Sequence, residues 1–262
     1  MQEHSMAQRL AAEAFGTAVL VFVGAGSVPA LFLARGGTGG APFTGAELFT
    51  IATAFGLAVV AMVYAVGKVS GCHINPAVTF ALFVTRRFPA REVLPYWAAQ
   101  CVGGVLGGLA IWGIFAHKVN AAGLSVLSYA SDTSAWSAGL AEGLGTGILM
   151  FTILGIVDKR SPDMLAGLVI GLIVIGVIIT VGPVTGAAIN PARYFGTLIT
   201  GSLADLQTHW DQAWVYVVAD LGGAAVAAFL YDVLATPRKV ARPIQSAVTQ
   251  PDRQADGVEV PA

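Results

Sequence analysis

The 262-residue chain is 56% hydrophobic and only 11% charged, with a formal net charge of −1 and a mean hydropathy of +0.74. Charged residues make up about a quarter of a soluble domain, so lipid is the solvent for most of this surface. The near-neutral balance carries no electrostatic footprint for nucleic acid, and Cys72 and Cys101, the only cysteines, show no CxxC spacing and read as free thiols.

Six apolar stretches follow in chain order, at about residues 11–33, 48–66, 93–115, 136–156, 164–181 and 213–234. Each is close to the ~20 residues a helix needs to cross the hydrocarbon layer. The first contains Glu13 and lacks a short leader-type apolar core, so it reads as a retained helix. Residues 11–234 therefore read as one membrane domain, with repeat one at about 11–115 and repeat two at about 136–234. Residues 1–10 form a short N-terminal segment, and the polar, Pro-containing tail at 235–262 is expected to be disordered.

Lysine and arginine set the expected orientation. With the N-terminus inside, Arg9, Lys68, Arg86, Arg87, Arg91, Lys159, Arg160, Arg238, Lys239, Arg242 and Arg253 are cytoplasmic, against Arg35 and Lys118 outside. Both termini are then expected on the cytoplasmic side.

Two internal repeats organise the chain. Ile74-Asn75-Pro76-Ala77 returns 115 residues later as Ile189-Asn190-Pro191-Ala192, each after a run of mostly small residues. Ala12-Glu13-Ala14-Phe15-Gly16-Thr17 returns as Ala141-Glu142-Gly143-Leu144-Gly145-Thr146 with four of six positions matched. Three spans per half is an odd number of crossings, so the second half must be inverted. A central site is expected where such halves meet.

Each Asn-Pro-Ala follows the second span of its half, one in an inner loop and one in an outer loop. The apolar runs behind them, 77–84 and 192–200, are about the length of a half-membrane helix at ~1.5 Å per residue. Pro suits the first helical turn and Asn suits the cap. Two half-helices entering from opposite faces would aim both positive ends at the midplane. Irregular backbone at that depth is tolerated only against protein or water.

These residues resemble the aquaporin, or major intrinsic protein, family. The likeness rests on Ser70-Gly71-Cys72-His73-Ile74-Asn75-Pro76-Ala77-Val78-Thr79, on Thr185-Gly186 through Asn190-Pro191-Ala192-Arg193, and on the paired Glu-x-x-Gly-Thr. It covers nearly the whole chain bar its two ends. It implies an all-α membrane fold of six tilted helices plus two half-helices, a pore in each subunit, and a homotetramer in the plasma membrane. Water and small neutral solutes are the implied cargo, with no cofactor, no metal and no catalysis.

The residues supply a mechanism for such a pore. Asn75 and Asn190 can donate amide N–H groups to a passing oxygen, while unwound carbonyls near 71–73 and 186–188 can accept. Positive half-helix ends and Arg193 repel protons and cations, as electrostatic barriers do in aquaporins. Glu13 and Glu142 read as scaffold carboxylates that hold the two loops, and His73 as a structural residue within the first. Cys72, near the inner half of the pore, is expected to be a target for mercurials.

By the family's typical offsets, the outer selectivity filter is Phe55, Ile178, Ala187 and Arg193. Strict water channels carry His at the position of Ile178. Glycerol facilitators carry Gly there, a second large aromatic, and Asp directly after the arginine, where this chain has Tyr194. The intermediate pattern resembles some archaeal aquaporins and plant nodulin-like relatives, and implies water conduction with passage of glycerol, ammonia or urea. A water-selective pore, and a coupled secondary transporter built on the same kind of repeat, stand as alternatives. Asp220 departs from the family pattern: a carboxyl inside span six is costly in lipid and is expected to face protein or water.

Overall fold

The structure, a computed structural model, describes residues 4–37, 43–118 and 123–235. The expected tail beyond residue 235 lies outside the described residues, as do residues 38–42 between the first two spans. Among the described residues eight helices carry the fold. The six long ones are α1 (Met6–Ala34), α2 (Gly45–Ser70), α4 (Ala90–Phe115), α5 (Ala135–Val157), α6 (Ala166–Thr185) and α8 (Ala213–Ala235). The two short ones are α3 (Pro76–Val84) and α7 (Pro191–Leu203), both beginning at the proline of an Asn-Pro-Ala. No strand is present among the described residues, so the all-α membrane architecture expected from sequence is the one observed.

Most of the long helices run a few residues beyond their apolar stretches. Hydropathy sees only the segment that lies in hydrocarbon, whereas the helix ends where its terminal N–H groups find caps. Ser5 and Gln8 form a capping box that starts α1 at Met6. Thr44 and Glu47 form a second one that starts α2 at Gly45. Midway along α1, residues Val21–Ala25 form a π-helical turn. Pro29 follows four residues after Ala25 and cannot bond back to it, so the widened turn and the proline belong to one local distortion.

The repeat is visible in the packing. α4 crosses α1 where a Cβ on Gly103 would stand 2.1 Å from the Ala14 carbonyl oxygen. In the other half, α8 crosses α5 where a Cβ on Gly223 would stand 2.0 Å from the Gly143 carbonyl oxygen. Only glycine permits these backbones to touch, as at small-residue contacts between membrane helices generally. The outward faces carry exposed Leu57, Leu94, Trp136, Leu172 and Val226, the pattern of a lipid-facing surface. The chain is an integral, multi-pass membrane protein.

Candidate functional site

Both loops that precede the half-helices have the same unusual backbone. α2 ends at Gly71 (φ 93°) and α6 at Gly186 (φ 80°), both left-handed. Cys72 and Ile74 (φ 50° and 42°) are matched by Ala187 and Ile189 (φ 53° and 42°). A β-branched residue at positive φ is a strained conformer that persists only when its surroundings over-determine it.

Those surroundings are the two buried glutamates. Glu13 Oε1 accepts from the Ser70 hydroxyl (2.6 Å) and His73 N–H (2.9 Å), and Oε2 from Ile74 N–H (2.6 Å) and the Gln100 amide (2.8 Å). Glu142 Oε1 accepts from the Thr185 hydroxyl and Ala188 N–H (2.9 Å), and Oε2 from Ile189 N–H (2.7 Å). The Ser70 and Thr185 hydroxyl oxygens in turn accept Cys72 N–H (3.0 Å) and Ala187 N–H (3.1 Å). Tyr96 and Tyr216 donate to the carbonyls of Ser70 (2.8 Å) and Thr185 (3.0 Å), tying down the start of each loop. His73 packs its ring against Phe88 and Tyr96, with Nδ1 3.0 Å from Thr79 Oγ1.

Asn75 and Asn190 cap the half-helices. Their Oδ1 atoms accept Ala77 N–H (2.9 Å) and Ala192 N–H (3.0 Å). One amide hydrogen of each crosses to the other repeat: Asn75 Nδ2 donates to Ile189 O (2.8 Å), and Asn190 Nδ2 to Ile74 O (2.8 Å). An amide carries two N–H donors, so each asparagine keeps one more for whatever occupies the space beside it.

That space is one cavity. It is lined by Asn75 and Asn190, by Gly71–Ile74 and Ala187–Ile189, and by Phe55, Ile178 and Arg193. The four residues expected to form a filter therefore share one wall system. Pro76, Ala77, Pro191 and Ala192 are buried behind the asparagines in the first turns of the half-helices. Apolar side chains such as Val59, Val63, Ile170 and Val174 complete the walls.

Arg193 stands in the first turn of α7, 2% exposed. Its guanidinium donates to Ser125 O (3.1 Å) and Ser125 Oγ (2.8 Å) and lies 5.2 Å from the Phe55 ring centroid. Its Nε has no protein partner. A planar cation fixed in the cavity wall places positive charge beside the cavity. Among the described residues no cluster of His, Cys, Asp or Glu has the geometry to hold a metal ion.

The sequence reading missed several of these partners: Gln100, Ser70 and Thr185, the two tyrosines, and Ser125. A signal for some of them was present. Tyr96, Gln100 and Gly103 recur 120 residues later as Tyr216, Asp220 and Gly223. Asp220, whose partner the sequence does not reveal, is fully buried against protein, with Oδ1 2.9 Å from Thr146 Oγ1.

Two inverted three-helix repeats, locked by half-helices around a shared cavity, define a multi-pass membrane protein with a path built at the repeat interface. The family model described as major intrinsic protein matches residues 1–231. Aquaporin AqpM of Methanothermobacter marburgensis is 43% identical over 243 residues, covering 88% of this chain and 98% of that protein. Aquaporin AqpM of Methanothermobacter thermautotrophicus is 41% identical with the same coverage of each. Among solved structures, the aquaglyceroporin from Plasmodium falciparum superposes with a TM-score of 0.76 at 27% identity, covering 88% of this chain and 97% of that one. The chain belongs to the major intrinsic protein family.

Proposed function

We propose that this protein is a passive channel for water that also passes small neutral solutes such as glycerol. It is a channel and not an enzyme. The observation that carries the reading is the pair Asn75 and Asn190, each with one amide N–H spent on the opposite repeat and one left for the cavity. A water that leaves bulk solvent needs replacement partners, and these donors sit between otherwise apolar walls that do not bind it tightly. Passage then needs no conformational cycle. The relatives named aquaporin and the aquaglyceroporin neighbour support this reading.

Phe55, Ile178, Ala187 and Arg193 act as the filter in this reading. Ile178 offers no polar group and Ala187 is small, so the ring is apolar enough to pass the carbon backbone of glycerol. Arg193 and the positive ends of α3 and α7 exclude cations and protons. Glu13, Glu142 and His73 act as scaffold. The basic residues at the Met6 and Ala235 ends support cytoplasmic termini by the positive-inside rule. The plasma membrane and a homotetramer, each subunit with its own pore, complete the proposal.

Stopped-flow light scattering on proteoliposomes tests it. Fast shrinkage in an impermeant osmolyte followed by fast re-swelling in glycerol is expected. Shrinkage without re-swelling would restrict the channel to water. Ile178→His should cut glycerol flux while leaving water flux within about threefold, because a hydrogen-bonding ring suits a small polar solute and narrows the aperture.

A further inference from the structure

Asp220 is the one membrane-embedded acid that the channel reading leaves without a task. It lies on α8 one turn beyond Tyr216, as Gln100 lies on α4 one turn beyond Tyr96. The two tyrosines make equivalent bonds, to Thr185 O and Ser70 O. Gly103 and Gly223, three residues further on, make equivalent backbone crossings. Asp220 therefore occupies in repeat two the position of Gln100 in repeat one.

Gln100 is a donor there. Its Nε2 supplies the fourth hydrogen bond to Glu13, completing a set of four. Glu142 receives three donors from its loop and lacks that fourth one. The Asp220 carboxyl stands beside it, with the Asn190 backbone N–H near the same carboxyl, and its Oδ2 is buried and makes no hydrogen bond.

Counting protons sharpens the point. The Thr146 hydroxyl lies 2.9 Å from Glu142 O and 2.9 Å from Asp220 Oδ1, yet it owns one hydrogen. An ionised Asp220 would leave a bare acceptor, and would set a second negative charge against Glu142. Neither acid takes part in an ion pair among the described residues. Around the pair, α5 contributes Glu142 itself, α8 contributes Tyr216, and α7 contributes Tyr194 and Arg193, whose guanidinium bonds Ser125 and Thr197 instead. Adjacent buried carboxyls with no cation bonded to either keep one proton between them.

We propose that Asp220 is a carboxylic acid that donates its proton to Glu142, doing in repeat two what the Gln100 amide does in repeat one. It is a positioning residue: it acts on the second Asn-Pro-Ala loop through Glu142 and does not touch the solute. Glu142, with three donors already on it, is the ionised partner. The pair is thus a carboxylate held by an acid, against a carboxylate held by an amide.

The test is infrared difference spectroscopy of the reconstituted full-length channel at neutral pH. Wild type should show the carbonyl stretch of a protonated carboxylic acid, shifting on isotopic labelling of aspartate and absent from Asp220→Asn. That variant presents an amide N–H where Gln100 does, and should fold and conduct water within about twofold of wild type. Asp220→Leu removes one buried hydrogen bond and should lose about fivefold in water flux or the equivalent in thermal stability, since such a bond is worth ~1 kcal/mol. No acid band in wild type, a band surviving in Asp220→Asn, or an Asp220→Asn protein as damaged as Asp220→Leu would each overturn the proposal. The spectrum reads the proton without reference to flux, so it stands or falls apart from the solute range.

Discussion

The two halves of the cavity share a backbone and differ in what they show to a solute. Around the second half-helix stand Phe55, Arg193 and the bare Gly24. At the matching positions around the first stand Ile170, Val78 and Ile153. Where one half has a cation against an aromatic ring, the other has three aliphatic side chains. Duplication explains the frame, because a frame needs the same bonds on both sides of its axis. It does not explain a filter, which needs to be narrow only once along the path. The repeats are therefore alike at Glu13 and Glu142, Ser70 and Thr185, Tyr96 and Tyr216, and at the cavity-lining pair Asn75 and Asn190, and unlike where Phe55 and Arg193 face Ile170 and Val78 across the repeat.

The deepest way to break the frame is to remove a scaffold glutamate. Glu13→Ala strands four donors and Glu142→Ala three, at ~1–3 kcal/mol for each buried group left unsatisfied. The sum rivals the whole stability of a domain, typically ~5–15 kcal/mol. Neither variant should yield monodisperse protein in detergent. A normal melting profile for either would show that its loop holds without the carboxylate.

Next comes the difference at Arg193. Arg193→Val makes the second half-helix start like the first, which has Val78. A unit charge about 5 Å from a passing cation costs it ~3 kcal/mol at an effective dielectric near 20. Cation leak should rise on the order of a hundredfold at ~1.4 kcal/mol per decade, while water flux rises little. Conductance of planar bilayers reads this directly, and an unchanged leak would leave exclusion to the half-helix ends alone.

A smaller effect is expected at Gly24, where an added Cβ would fall 2.2 Å from a Phe55 ring carbon. Gly24→Ala must displace that ring, which lies 5.2 Å from the Arg193 guanidinium, and overpacking of this kind costs ~1–3 kcal/mol. Glycerol re-swelling should slow more than water flux. Equal slowing of both would mean the ring is not the narrow point.

The mildest comparison concerns Cys72, which stands 115 residues before Ala187 and lines the same cavity from the other half. A mercurial should reduce water flux in wild type, and Cys72→Ser should conduct normally and resist. Inhibition that persists in Cys72→Ser would point to Cys101.

The frame was legible in the sequence because its parts are short and repeated. An Asn-Pro-Ala after a span, and a glutamate one turn before Gly-Thr, are visible without coordinates. The bonds between the halves were not, because Asn75 reaches a carbonyl 114 residues away and a carbonyl has no residue signature. Span limits were short because hydropathy does not register Ser5, Thr44 or the polar turn at Lys68–Ser70. Asp220 looked anomalous for a similar reason: its partner is set by a crossing of α8 on α5, and only the 120-residue spacing of Tyr, Gln or Asp, and Gly hints at it.

The exchanged bonds at the centre, Asn75 to Ile189 and Asn190 to Ile74, also impose an order on biosynthesis. The first loop leaves the ribosome some 115 residues ahead of its mate. Until the second loop arrives, the Ile74 carbonyl and one Asn75 hydrogen lack their partners, so the first re-entrant segment is held only by the bonds of its own repeat. The centre is then complete only when both loops are in place, and half a channel is not a smaller channel but an unfinished one.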